Sequence, residues 1–391
     1  MRHAIREKAC TYADFTAQTL SGLVGIPSFS GEEEAVCDHI RKVLTGLGLP
    51  EVRRDAFGNI IARVGHGARV LAFDAHVDTV KTGDRNQWSR DPFSGETAGG
   101  RLHGRGAADQ KGGAAAMITA ARILHELSYT GDFSVYFIFT VLEEDCEGLC
   151  WTHLLTEERL RPDFVVFTEP TSLQVTRGQR GRMEMDVTFR GVSAHGSAPE
   201  RGDSAVSKAA RAVLALEDLH RRLPAHPFLG KGSLVVTEFS SSAPSLCAVP
   251  DGARLHIDRR LTWGETRDSA LAEIAACVGG AGPVTVPVTE WRTYTGLQRR
   301  QEQYFPAWMI EADHPLVAAA VETARDVTGA EPAVDKWVFS TNGVVTCGTH
   351  GIPAIGYGPG HEVQAHAPDE WTPLDHLVPA AAFYASLPLN L

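Results

Sequence analysis

The sequence predicts an α/β protein: a main domain of strands and helices, interrupted by a smaller α+β insertion. Three observations point there. Apolar runs at Val70–Phe73, Phe133–Leu142 and 163–168 read as buried strands separated by helical stretches, and each runs into an acid or a histidine. After Ser172 the pattern changes to a polar/apolar alternation, as in Arg180–Arg190. A chain of 391 residues also exceeds what one compact core accommodates.

In chain order, residues 11–29 carry helical apolar spacing closed by Gly25 and Pro27. Ser30 and Glu33 then form a capping-box pair ahead of a helical stripe through Val36, Ile40 and Leu44. That helix ends in the Gly46/Gly48/Pro50 cluster, and two short strands flank the turn Phe57-Gly-Asn59. Strand 69–75 delivers His76-Val-Asp78. A long polar loop, 79–105, leads to Gly104-Arg-Gly106 and Asp109-Gln-Lys-Gly-Gly113, placing Asp109 at or just before the start of the helix Ala114–Leu127. The strongest strand, 133–142, ends in Glu143-Glu144-Asp145, and the next ends in Glu169-Pro170. Strand 180–190, helix 203–222, strands 232–239 and 253–261, helix 267–278 and strand 284–291 give the order βαββαβ, a small sheet with helices on one face. The main domain resumes near 305, includes helix 315–328, and closes with strand 352–357 and then His366. The predicted division is 1–178 with 293–391 for the main domain and 179–292 for the insertion.

Composition narrows the function. Charged residues make up 22% of the chain and the net charge is −11, which argues against a nucleic-acid partner. No apolar run reaches the roughly 18 residues of a membrane span, and the first ten residues lack the apolar core of a signal peptide, so a cytoplasmic protein is expected. Seven scattered cysteines make no disulfide framework, and Cys146 and Cys150 lack a second pair for a zinc ribbon. The glycines before Lys111 do not form a P-loop, because Gly-Lys-Ser/Thr is missing.

The strand-end polar residues are His76, Asp78, Asp109, Glu143, Glu144, Glu169 and His366. Each alone reads as an ordinary loop residue or cap; together, imidazoles and carboxylates without thiolate suit zinc, manganese or cobalt in a reactive site. One carboxylate shared between two ions would make a dinuclear centre. Ions about 3.5–4 Å apart can hold a hydroxide at neutral pH and polarise a carbonyl. A further carboxylate must then act as base, and one of Glu143 and Glu144 is placed for it.

The motifs His76-Val-Asp78, Gly104-Arg-Gly106 to Gly113, Glu143-Glu144, Glu169-Pro170, Ser193-Ala-His195 and His366, in this order, resemble the di-metal aminoacylase and carboxypeptidase family. That family includes acetylornithine deacetylase and succinyl-diaminopimelate desuccinylase, and the resemblance covers nearly the whole chain. It implies a mixed-sheet, zinc-exopeptidase-like catalytic domain whose insertion acts as lid and homodimer interface. It further implies two divalent ions, zinc first and cobalt or manganese as alternatives. His76, Asp109 and Glu169 would hold one ion; Asp109, Glu144 and His366 would hold the other. Asp78 would orient His76, Glu143 would be general base and acid, and His195 would reach the partner subunit's site to stabilise an oxyanion. Arg259 and Arg260, ending a lid strand, are candidates for binding a substrate carboxylate.

The sequence also departs from the family pattern. Leu142 stands where many members have Asp before the Glu pair, the lid loop reads Ser241 to Pro250, and the late substrate-binding segment reads Phe339-Ser-Thr-Asn342-Gly343. Asn342 and Gly343 are its substrate-binding candidates. The runs Leu142–Trp151, Asp258–Thr266 and Phe339–Gly343 resemble a bacterial branch named for selenium metabolism, a name that implies no selenium chemistry here. The resemblance thus implies a metal-dependent amidohydrolase acting on an N-acyl amino acid, with a dipeptidase or carboxypeptidase as the alternative. A non-catalytic metal-containing binding protein would require a broken ligand set, which the sequence does not show. A phosphatase or nuclease would require basic phosphate-binding clusters, which are not evident near the ligands.

Overall fold

The computed structural model describes residues 1–391. Its largest element is a nine-stranded mixed sheet. Strand Arg69–His76 lies at the centre, parallel to Phe133–Thr140 on one side and to Phe164–Phe167 on the other. Ala354–Gly356 runs parallel to Phe164–Phe167, while the edge hairpin Glu51–Arg54 and Ile60–Val64 is antiparallel. The central strands are apolar almost throughout because helices cover them; Phe133–Thr140 exposes only Tyr136 in part. Helices Arg2–Thr11, Ala13–Val24, Gly112–Glu126 and Leu377–Ser386 pack with one another, and Phe73 meets Phe137 and Tyr384 beneath them.

Register does the functional work. His76 pairs with Thr140, Asp74 with Phe167, and Phe167 with Gly356, so the carboxyl ends of four strands fall within two residues of one another. Whatever follows each strand therefore emerges at one edge, where open α/β sheets build their sites.

The second sheet is antiparallel, in the order Ser233–Ser242, Gly252–Leu261, Gly181–Arg190, Val284–Thr285. Helices Ala205–Arg222 and Arg267–Val278 cover it over a separate apolar core of 18 residues, against 70 in the main one. The chain passes between the sheets twice: Val175–Gln179 belongs to the large one and Gly181–Arg190 to the small one, and Tyr304–Phe305 and Trp308–Met309 mark the return.

Several local expectations change. The N-terminal helical stretch is two helices, broken at Tyr12, and it starts at Arg2. The capping box does not form. Ser30 Oγ donates to Asp78 Oδ2 instead, and Glu33 Oε1 accepts from the backbone of Gly31 and Leu142. The strand expected over 284–291 is broken at Pro287. Val288–Arg292 leaves the small sheet to form a hairpin with Gln298–Glu302, whose turn docks on the main body through Tyr294 Oη donating to Gly58 O. The loop 79–105 carries two short strands, Thr97–Ala98 and Arg101–His103; the latter pairs with Trp371–Pro373 and so brings the end of the chain beside Gly104. No helix is long and apolar enough to cross a membrane.

Candidate active site

Strand Arg69–His76 ends by presenting a fully buried imidazole. His76 Nδ1 lies 3.0 Å from the backbone carbonyl of Asp78 and 3.6 Å from its carboxylate, which fixes the ring and aims Nε2 outward. Nε2 is 3.0 Å from Asp109 Oδ1, 3.7 Å from Glu169 Oε1 and 3.9 Å from Glu143 Oε2. On the other side of Asp109, Oδ2 lies 3.4 Å from His366 Nε2, and that nitrogen is 2.8 Å from Glu144 Oε2. Asp109 thus stands between two imidazoles, with further carboxylates beside each. Two overlapping triads, His76/Asp109/Glu144 and His76/Glu143/Glu169, each bring their ligand atoms within 4.8 Å of one another.

Asp109 is not a helix cap. The helix begins at Gly112, and Asp109 lies in the wide turn Ala107–Lys111 that precedes it. Glu370 holds this turn: its carboxylate accepts from the backbone of Gly106, Ala108 and Asp109 and pairs with Arg105 at 2.7 Å, all buried. Lys111 anchors the other side, its Nζ donating to Leu23 O and Ile26 O. Burial brings its pKa down to about 7. The Glu143-Glu144 turn is built similarly. Asp78 accepts from both backbone N–H groups, and Leu142 adopts a left-handed φ of 62°, its N–H held by Glu33. A non-glycine residue there carries strain, which the surrounding hydrogen bonds hold in place. The sequence assigns none of Glu370, Glu33, Lys111 and Ser30 a task at the site: Ser30 and Glu33 read as a helix cap, Lys111 only as part of the motif Asp109–Gly113, and Glu370 carried no signal.

Electrostatics are extreme. Burial acts to lower the His76 pKa, but Glu143, Glu169 and Asp109 together raise it well above the ordinary histidine value. Burial pushes Glu143 and Glu169 well up, and Glu144 to about 7 with Asp109 adding to it. Hydrogen bonds to Asp109 and Glu144 raise His366 to about 10. Asp109 is driven down against its own burial by the two imidazoles. Such paired, opposed shifts in a cleft mark a reactive site.

These residues line a cavity of about 570 Å³ that also exposes Glu147, Arg182, Arg260, Phe339, Ser340 and Glu362. Arg260 faces it, paired with Asp258 at 2.9 Å. Arg259 does not: it is fully buried on the opposite face of its strand, paired with Glu265 and with Glu273 of helix Arg267–Val278. The residues 253, 255, 257, 259 and 261 share the apolar parity of that strand, a signal that would have excluded it. Asn342 is likewise structural, donating to Asp74 Oδ2 at 2.9 Å and accepting from Gly148 N at 2.8 Å. Gly343 is pressed against Trp308, whose ring would lie 2.5 Å from an added Cβ. The segment 338–340, just before them, reaches the cavity instead. His195 is exposed, its Nδ1 2.7 Å from Ser197 Oγ, and does not line the cavity within one chain.

A protein of Escherichia coli (strain K12) described as "Uncharacterized protein YgeY" is 46% identical over 389 residues, 99% of this chain and 96% of that one. Acetylornithine deacetylase of Klebsiella pneumoniae (strain 342) is 28% identical, covering 89% of this chain and 90% of its own. The crystal structure of aminopeptidase PepT from Bacillus cereus superposes with a TM-score of 0.75 at 22% identity, over 97% of this chain and 98% of that one. The sequence profile of Peptidase family M20/M25/M40 matches residues 72–390. The chain belongs to this family of metallohydrolases.

Proposed function

We propose that this chain hydrolyses the amide bond of an N-acyl amino acid or a short peptide, with Glu143 as general base and acid. The observation that carries this reading is Asp109 set between His76 and His366, with Glu143 beside them. The residues fit two divalent cations, one held by His76, Asp109 and Glu169 and the other by Asp109, Glu144 and His366. Buried oxygens of Glu143 and Glu169 have no hydrogen-bond partner, and a crowd of buried carboxylates with only two imidazoles needs compensating charge. Two such ions, zinc best suited and cobalt or manganese acceptable to the same ligands, would polarise the scissile carbonyl and acidify a water.

The chain's own residues do the rest. Glu143 takes a proton from the attacking water as the new C–O bond forms. It returns that proton to the amine nitrogen as the C–N bond breaks. Asp78 keeps Glu143 and Glu144 in register through their backbone N–H groups and fixes His76 from behind. Arg260, which lines the cavity, would hold a substrate carboxylate. The deacetylase among the relatives and the aminopeptidase among the similar structures both support an amide substrate and leave the acyl group to experiment.

The same reading makes 179–292 a lid over a catalytic domain formed by 1–178 and 293–391, in a cytoplasmic homodimer. His195 then reaches the partner subunit's cavity and stabilises the oxyanion. Supporting this, the lid's edge strand Ser233–Ser242 is open, with Val235 and Phe239 exposed, and Leu246 is fully exposed in the loop that pairs with His195.

The test is amine release by zinc- or cobalt-loaded protein across a panel of N-acyl amino acids and dipeptides. Release confined to one class, and abolished by Glu143→Ala, is the expected result. No release from any of them with two ions bound would overturn the proposal.

A further inference from the structure

His153 sits in the last turn of helix Leu149–Thr156, only 4% exposed, and neither of its ring nitrogens has a hydrogen-bond partner. A buried imidazole normally uses at least one nitrogen in a hydrogen bond. This one lies against the ring of Phe57, 5.4 Å between centroids, and faces two carboxylates. One ligand atom each from Asp55, His153 and Glu158 lie within 4.8 Å of one another. None of the three lines the cavity described above.

The His153–Glu158 separation is compatible with a shared ion. His153 Nε2 is 3.9 Å from Glu158 Oε1, too long for a hydrogen bond. A zinc ion about 2.0–2.2 Å from each ligand in tetrahedral geometry sets its ligand atoms roughly 3–4 Å apart. Both carboxylates are also oriented from outside. Asp55 accepts from the backbone of Gly58 and Asn59 and from Asn59 Nδ2, at 2.8–2.9 Å. Glu158 gives Oε2 to Arg53 at 2.6 Å, leaving Oε1 toward the imidazole.

We propose that Asp55, His153 and Glu158 hold a zinc-class divalent cation, separate from the centre in the cavity, that ties the turn 55–59 to helix Leu149–Thr156. One imidazole and two carboxylates suit zinc, with water completing the shell. The ion joins the sheet's edge hairpin to the helix that follows the Glu143-Glu144 turn, so it is structural.

The experiment compares zinc per chain, by elemental mass spectrometry at buffered free zinc, in the unsubstituted chain and in His153→Gln and Glu158→Gln. Each variant is expected to hold one equivalent fewer and to lose part of the zinc-dependent rise in Tm. Equal zinc content and equal Tm response in all three would overturn the proposal. Glu158 is partly exposed, so its variant decides the matter should His153→Gln fail to fold. The zinc left in the variants reports the cavity centre, which keeps the two assignments distinguishable.

Discussion

Glu143 has one carboxylate oxygen 3.9 Å from His76 and the other buried with no partner, so its side chain carries little structural load. Glu143→Gln keeps the shape and removes the base. It is expected to lower kcat by about 10²–10⁴-fold while zinc content and Tm hold, and a kcat within tenfold of wild type would refute the assignment. Glu370 is the opposite case, touching no substrate and acting through the turn that carries Asp109. Removing one member of a buried ion pair costs roughly 3–5 kcal/mol. Glu370→Gln leaves Arg105 uncompensated, so urea denaturation should show a loss of that order together with about 10–100-fold weaker zinc binding. The difference in legibility between these residues is physical. Glu143 follows a strand, and strand ends advertise what they deliver. Glu370 acts on backbone N–H groups 261–264 positions away, and no local pattern encodes that pairing.

At the level of elements, the central strands and the residues that follow them were readable because buried parallel strands are continuous apolar runs. The order of elements in the small sheet followed from simple alternation. The connections were harder, since Ser30 and Glu33 have the same spacing whether they cap a helix or brace the active-site loop. Their real task gives a pH signature. Burial and the charge of Asp78 raise Glu33 from 4.5 to about 8. The folded state therefore keeps a proton that the unfolded chain releases. This stabilisation is complete below pH 4.5, declines as pH rises, and is gone above about pH 8. Glu33→Gln retains an acceptor for Gly31 and Leu142 and does not ionise. Relative to wild type it should gain on the order of 1 kcal/mol or more between pH 5 and pH 8 in urea melts. A constant difference across that range would exclude the effect.

At the scale of the whole molecule, His195 is exposed and outside the cavity of its own chain, while the small sheet has an open edge at Ser233–Ser242. If the catalytic site is completed by a second copy, two inactive variants must rescue each other. In a heterodimer of Glu143→Ala and His195→Ala chains, the cavity that retains Glu143 is served by the partner's intact His195, whereas the other cavity lacks both groups. Random exchange of equal amounts gives half heterodimers, each with one working site of two, so the mixture should recover about one quarter of wild-type activity. A monomer, or a dimer in which His195 serves its own chain, would recover none. The recovered fraction should also fall as either variant is placed in excess, since heterodimers are then scarcer. Arg260 supplies a control, because it lines the cavity of its own chain and should be needed in the chain that retains Glu143. Adding Arg260→Ala to the Glu143→Ala chain should leave the rescue intact. Adding it to the His195→Ala chain should raise KM in the rescued mixture.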